Sequence, residues 1–236
     1  MQGLYEKKAP TLCIAGNLNI DLMISGVQRL PGWGEEQFGT NRRSVAAGQA
    51  GYMGMAASKL GMSVSIIGVV GDDIDGQNIC DKLKAENIDC SGITTVPGFA
   101  TGLTVAIIRE DGERCFVSEA GASAHLSLQH IEPHWPLVGA AAFFAVVGLF
   151  NTPSLTFDDV KTCLLKARQR GIVTVFDPGW DSAGWSQPTR NKLIDLLPHV
   201  DLILPNDDEA RAITGFTDVE KSLDLFLAAG VGTAII

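Results

Sequence analysis

The stretch Val200-Asp-Leu-Ile-Leu-Pro-Asn-Asp-Asp-Glu-Ala-Arg-Ala-Ile-Thr-Gly215 decides how this chain is read. Leu202, Ile203 and Leu204 make an apolar run of the kind a buried strand requires, and Pro205 stops it. Asn206 then opens a helical pattern. Glu209 follows three positions on, the spacing of a capping box in which Asn and Glu satisfy the free amides of a helix start. A buried strand feeding directly into a helix is the repeating unit of α/β folds.

Working outward, the same alternation recurs. Strands are expected at Leu12–Gly16, Ile20–Val27, Val64–Val70, Ala141–Gly148, Ile172–Asp177 and Asp201–Leu204, and Thr233–Ile236 reads as the beginning of one more. Helical spacing covers Gly48–Leu60, Gly76–Glu86, Phe157–Arg170, Thr189–Leu197, Asn206–Thr214 and Val219–Ala229. Between Thr101 and Ser118 the pattern changes: Leu103–Arg109 and Glu113–Ser118 flank Asp111-Gly112, a favoured tight-turn pair, so a β-hairpin of a subsidiary sheet is expected. The fold class is therefore α/β, a doubly wound, mostly parallel sheet flanked by helices, with a small second sheet. In such folds ligands bind beyond the carboxyl ends of the strands.

Composition narrows the function classes. The chain has 236 residues, 46% hydrophobic and 19% charged, which suits a folded domain with a sizeable core. Eighteen lysines and arginines against 27 acidic residues give a net charge of −9, which argues against a nucleic-acid or anionic-membrane partner. Cys13, Cys80, Cys90, Cys115 and Cys163 are scattered and never paired as C-x-x-C, the pattern of free cytosolic thiols. Residues 1–11 hold no apolar signal core, and the longest apolar segment, Leu137–Phe150, is shorter than the ~18 residues of a spanning helix. A cytoplasmic location is expected. His130 and His134 have i, i+4 spacing, but Pro133 between them breaks the geometry a metal pair needs.

Four segments carry candidate chemistry. In Gly16-Asn-Leu-Asn-Ile-Asp21, Asn19 and Asp21 either close an Asx-type turn or hold ligand hydroxyls, a role in which an unpaired carboxylate would be costly. Ala46-Ala-Gly-Gln-Ala-Gly-Tyr52 places glycines at a helix start, where backbone can approach a ligand closely. In Asp72-Asp-Ile-Asp-Gly76 the glycine arrives too early for a calcium loop, and Asp72 or Asp73 reads as a helix N-cap. Asp177-Pro-Gly-Trp-Asp-Ser-Ala-Gly-Trp185 follows a strand, and its tryptophans read as clamps of that loop on the core.

Taken in order, these motifs resemble those of the ribokinase-like, PfkB-type carbohydrate kinases: Gly-x-x-Asn-x-Asp at Gly16–Asp21, a glycine-rich helix start before Leu60-Gly61, Gly-x-Val-Gly-x-Asp near Gly68–Asp72, an Asp-Pro segment at Asp177, and Asn-x-x-Glu at Asn206–Glu209. The resemblance covers nearly the whole chain. It implies ATP- and Mg2+-dependent phosphorylation of a primary hydroxyl of a sugar or nucleoside. Asn19, Asp21, Gly48, Gln49 and Tyr52 would bind the substrate. Asp177, Asn206 and Glu209 would serve the nucleotide phosphates, with Glu209 holding the metal through water. Two departures stand out: Ala47 replaces a usual glycine, and Tyr52 replaces a usual sugar-binding Asn, so that Tyr52 either stacks on a different substrate or points away.

The resemblance further implies one ribokinase-like domain over 1–236, with lid strands from about 20–45 and 97–120 that exclude water and mediate homodimerisation. The family's catalytic aspartate lies in a Gly-Ala-Gly-Asp loop expected beyond Ile236. The chain is accordingly expected to lack the C-terminal part of the fold and to transfer negligible phosphate by itself. The alternative expectation is a non-catalytic sugar- or nucleoside-binding pseudokinase or regulatory protein. A nucleotide-dependent oxidoreductase is disfavoured, because Gly16-Asn-Leu-Asn lacks Gly-x-Gly-x-x-Gly spacing.

Overall fold

A computed structural model describes residues 11–236. In chain order the elements are β1 (Thr11–Gly16), β2 (Asn19–Val27), β3 (Asn41–Ala47), α1 (Gln49–Lys59), β4 (Ser63–Gly71), α2 (Ile74–Ala85), β5 (Asp89–Val96), β6 (Thr101–Arg109) and β7 (Arg114–Gly121). There follow α3 (Leu128–Ile131), α4 (Trp135–Gly139), β8 (Phe143–Val147), α5 (Phe157–Arg168), β9 (Val173–Asp177), α6 (Gln187–Leu196), β10 (Leu202–Ile203), α7 (Asp207–Thr214), α8 (Val219–Ala228) and β11 (Thr233–Ala234).

Seven strands form one parallel sheet in the order β11-β10-β9-β8-β1-β4-β5. The interior strand β1 alternates between two cores: Cys13 and Ala15 pack with α5 and α6 residues such as Leu164 and Leu193 on one face, while Leu12 and Ile14 join Ala57 of α1 and Ile79 of α2 on the other. Both faces are buried, as a parallel sheet covered by crossover helices must be. Full burial of a larger side chain such as Ile14, Ile79 or Leu164 stabilises by about 1.5–3 kcal/mol.

The second sheet has four strands in the order β3-β2-β6-β7. β2 runs antiparallel to β3 and parallel to β6, and β6 and β7 make the antiparallel hairpin around Asp111-Gly112. Two side chains, Ser123 buried and Asp73 partly buried, attach this sheet to the large one. Ser123 donates to the Leu18 carbonyl at 2.7 Å and accepts from the Leu18 amide at 3.2 Å, pinning the β1–β2 link. Asp73, the N-cap of α2, accepts from the Gly76 amide at 2.8 Å and from the Thr101 amide at 2.7 Å, where β6 begins.

Two regions differ from the sequence pattern. β5 was not expected, since Asp89, Ser91, Thr94 and Thr95 give it little apolar character; it lies at the sheet edge, where one side needs no partner. The segment before β8 is helical at Trp135–Gly139, and only Phe143–Val147 is strand. No helix among the described residues is long and apolar enough to cross a membrane.

Candidate functional site

The loops after β1 and β9 and the start of α7 open on the same end of the large sheet, and the four-stranded sheet stands over them. Gly48, which precedes α1, has φ of 87°, and a Cβ there would overlap the Asn17 carbonyl. Only glycine accommodates both the angle and the approach. Asn17 answers by accepting the Gln49 amide on its side chain at 3.3 Å and the Ala50 amide on its carbonyl at 3.3 Å. It thereby supplies the cap that Gly48 cannot.

From Asn17 a chain of polar groups runs into β2. Asn17 Nδ2 donates to Asn19 Oδ1 at 3.3 Å, and Asn19 Nδ2 donates to Asp21 Oδ1 at 2.7 Å. The other Asp21 oxygen accepts the Tyr52 hydroxyl at 2.7 Å. Asn17, Asn19 and Asp21 are all buried. Burial and the adjoining carboxylate both raise the Tyr52 phenol, so it stays a donor. Tyr52 thus neither points away nor stands free: it is bound to Asp21.

The opposite wall comes from β9 and α7. Asp177 closes β9 and accepts from Gln49 Nε2 at 3.3 Å and from the Gly179 amide at 3.2 Å. Burial pushes its carboxyl up to about 6, against the pull of that amide. At α7 the capping box is complete: Asn206 Oδ1 accepts the Glu209 amide at 2.9 Å, and Glu209 Oε2 accepts the Asn206 amide at 3.0 Å. Burial pushes Glu209 up to about 7; the Asn206 amide works against this, and the charges of Asp177 and Asp208 add to it.

These walls enclose a cavity of about 350 Å3 lined by Asn17, Asn19, Asp21, Gly48, Gln49, Tyr52 and Glu209, with Thr104, Phe116, Ser118, Glu119, Ala120, Ser123, Asn151 and Trp180. Six of the eight residues singled out from the sequence therefore meet in one place. The other two do not line it: Asp177 lies behind Gln49, and Asn206 holds the backbone of Glu209 from outside. Gln49 Oε1 is buried and has no hydrogen-bond partner among the described residues. No lysine or arginine lines the cavity, whereas Asp21, Glu119 and Glu209 do.

Several lining residues escaped the sequence reading. Thr104, Phe116, Ser118 and Glu119 come from the hairpin and carry no motif of their own; only the docking of the second sheet brings them in. Trp180 corrects an expectation. Trp185 does clamp its loop, buried against Phe150 with ring centroids 5.1 Å apart, but Trp180 is turned to the cavity and 52% exposed.

A family model described as "pfkB family carbohydrate kinase" matches residues 11–236. The chain is 26% identical over 231 residues to a ribokinase of Haemophilus influenzae, covering 96% of this chain and 71% of that protein. It is 26% identical over 182 residues to fructokinase-1 of Oryza sativa subsp. japonica, covering 75% of this chain but only 55% of the fructokinase. Among solved structures, an Arabidopsis thaliana ribokinase complexed with ribose and ATP superposes with a TM-score of 0.74 at 20% identity, over 96% of this chain and 71% of that one. A ribokinase from Giardia lamblia gives 0.76 at 21% identity, over 96% and 68%.

Proposed function

The chain belongs to the pfkB family of carbohydrate kinases, and from that premise we propose that the cavity between its two sheets binds the alcohol acceptor of an ATP-dependent phosphotransfer, a sugar or nucleoside with a free primary hydroxyl. The observation that carries this reading is convergence. Asn19 and Asp21 from β2, Gln49 and Tyr52 from α1 and Glu209 from α7 line one cavity. Asn19 and Asp21 orient acceptor hydroxyls, and the Gly48 backbone lets the acceptor lie close against the helix start. A lining without lysine or arginine favours an uncharged acceptor over a sugar phosphate, whose charge Asp21, Glu119 and Glu209 would repel.

The residues at the far wall fit magnesium. Glu209 and Asp177 are carboxyls pushed up by burial, and a dication beside them removes that penalty. Among the described residues no group of three or more His, Cys, Asp or Glu could hold a metal. Magnesium commonly keeps several waters and takes other ligands from phosphates, so one or two carboxyls are enough to hold it. Glu209 would hold it through water, Asp177 would balance its charge, and Asn206 would keep Glu209 in place and offer its side-chain amide to a phosphate oxygen. When bound, magnesium neutralises charge on the transferring phosphoryl group. ATP as donor draws support from the Arabidopsis relative solved with it.

Calorimetric titration of the chain with free sugars, nucleosides and sugar phosphates, with and without Mg-ATP, tests the assignment. An uncharged alcohol should bind, its phosphate ester should not, and Asp21→Ala should weaken binding at least tenfold. Tightest binding of a sugar phosphate would overturn it. A second, non-catalytic reading, an acceptor-binding protein, is equally served by Asp21: both its oxygens already accept hydrogen bonds, so it holds a hydroxyl more readily than it takes its proton. Acceptor-dependent ADP release supports phosphotransfer; acceptor binding without it supports the second reading. Homodimerisation through the second sheet completes the proposal: Phe116 lines the cavity, so Val117 points away from it and is 69% exposed, an apolar group for a second copy to cover. Sedimentation of parent and Val117→Lys chains checks that point.

A further inference from the structure

Asp21 does not present a bare carboxylate to a ligand. Oδ2 accepts the Tyr52 hydroxyl and Oδ1 accepts Asn19 Nδ2, both at 2.7 Å. An ionised carboxyl has about four lone-pair sites, so each oxygen keeps one, but the direction from α1 is filled by a phenol. Tyr52 in effect supplies one of the hydroxyls that a bare carboxylate would take from a small sugar.

The second observation concerns aromatic surface. Tyr52 is 44% exposed, Phe116 55% and Trp180 52%, and all three line the same cavity. They arrive from α1, β7 and the loop after β9 respectively. Three part-exposed aromatic side chains lining one concave site offer apolar surface that a flat ring can cover. The volume of about 350 Å3 lies in the range that encloses a molecule larger than one sugar ring. Acidic residues and no cation at the wall suit N–H donors better than phosphates.

We propose that Tyr52 sets acceptor specificity: its hydroxyl takes the place of one acceptor hydroxyl on Asp21, and its ring, with Phe116 and Trp180, receives a flat base, so that the cavity takes a nucleoside ahead of a free monosaccharide. The proposal rests on the reading of this cavity as the acceptor site and names its substrate class. Tyr52 acts on which acceptor binds, and the variant that restores a small carboxamide reverses the preference.

The test is calorimetric titration of parent, Tyr52→Phe and Tyr52→Asn chains with adenosine, uridine, ribose and fructose, each chain checked for folding by circular dichroism. The parent should bind at least one nucleoside tenfold or more tighter than either sugar. Tyr52→Phe keeps the ring, so nucleoside binding should stay within about threefold. Tyr52→Asn removes it; nucleoside binding should fall at least tenfold while ribose or fructose binding tightens. A parent that binds a free sugar as tightly as any nucleoside, or a Tyr52→Asn chain with an unchanged ratio, overturns the role of Tyr52 while leaving the acceptor site standing. Folded parent and Tyr52→Asn chains that bind none of the four probes overturn the acceptor site itself.

Discussion

Gln49 Nε2 donates to Asp177 Oδ1 at 3.3 Å across 128 positions of sequence, joining the first turn of α1 to the end of β9. This bond ties the wall that carries Asn19 and Asp21 to the wall that carries Glu209. A neutral donor there is what lets a buried carboxyl persist beside a second one. Gln49→Glu would place another acid against Asp177, so the variant should lose about 2 kcal/mol of stability at pH 8 and recover most of it towards pH 5. Urea midpoints at the two pH values check this; an unchanged midpoint at pH 8 would mean the bond does not hold the walls together.

The acid wall also predicts a pH dependence. Asp177 and Glu209 titrate near 6 and 7 in the folded chain, above their ordinary values of 3.8 and 4.5, so the folded state binds protons that the unfolded state does not. Their contribution is fully present below the ordinary values and is lost as pH rises through 6 and 7. Burial lowers His130 and His199, which pull the other way over part of this window. Comparison with Glu209→Gln cancels them: the parent's stability should fall relative to the variant between pH 5.5 and 8, by about 2 kcal/mol. A constant difference across that range contradicts the raised carboxyl.

Magnesium should act on the same groups. A dication favours the ionised carboxyls, so millimolar Mg2+ should raise Tm more at pH 8 than at pH 5.5, and Glu209→Gln should abolish most of the shift. Differential scanning calorimetry measures it directly. An equal shift at both pH values, or one that survives in the variant, places the ion elsewhere.

Gly48 makes a purely steric prediction. With φ at 87° and the Asn17 carbonyl against its Cα, Gly48→Ala is expected to destabilise by about 2–4 kcal/mol and to weaken acceptor binding, because α1 must shift away from Asn17. Gly34→Ala, also at positive φ but with open space around it, separates the two causes: it should lose only about 1 kcal/mol.

Much of this molecule is legible from local pattern. β4, with apolar Val64, Ile66, Ile67, Val69 and Val70, can only be a buried strand, and the Asn206–Glu209 spacing announces the start of α7. β5 was not legible, because an edge strand needs neither alternation nor high apolar content. At the site, the residues that share a motif, such as Asn19 and Asp21, could be singled out from sequence. The Tyr52–Asp21 bond could not, because it depends on the rotation of α1 about its axis relative to β2. Nor could the place of Phe116 and Trp180, which line the cavity only because two sheets close over it. Trp180 and Trp185 show the limit plainly: the same residue type, five positions apart, with one clamping the loop and the other facing the cavity.

The most direct test is a crystal structure of the chain soaked with whichever acceptor binds in titration. The acceptor should lie in the cavity between the sheets, one of its hydroxyls within hydrogen-bond distance of Asn19 or Asp21 and its primary hydroxyl directed towards Glu209. An acceptor bound outside that cavity, with Asp21 and Tyr52 untouched, would contradict the reading of the cavity as the acceptor site.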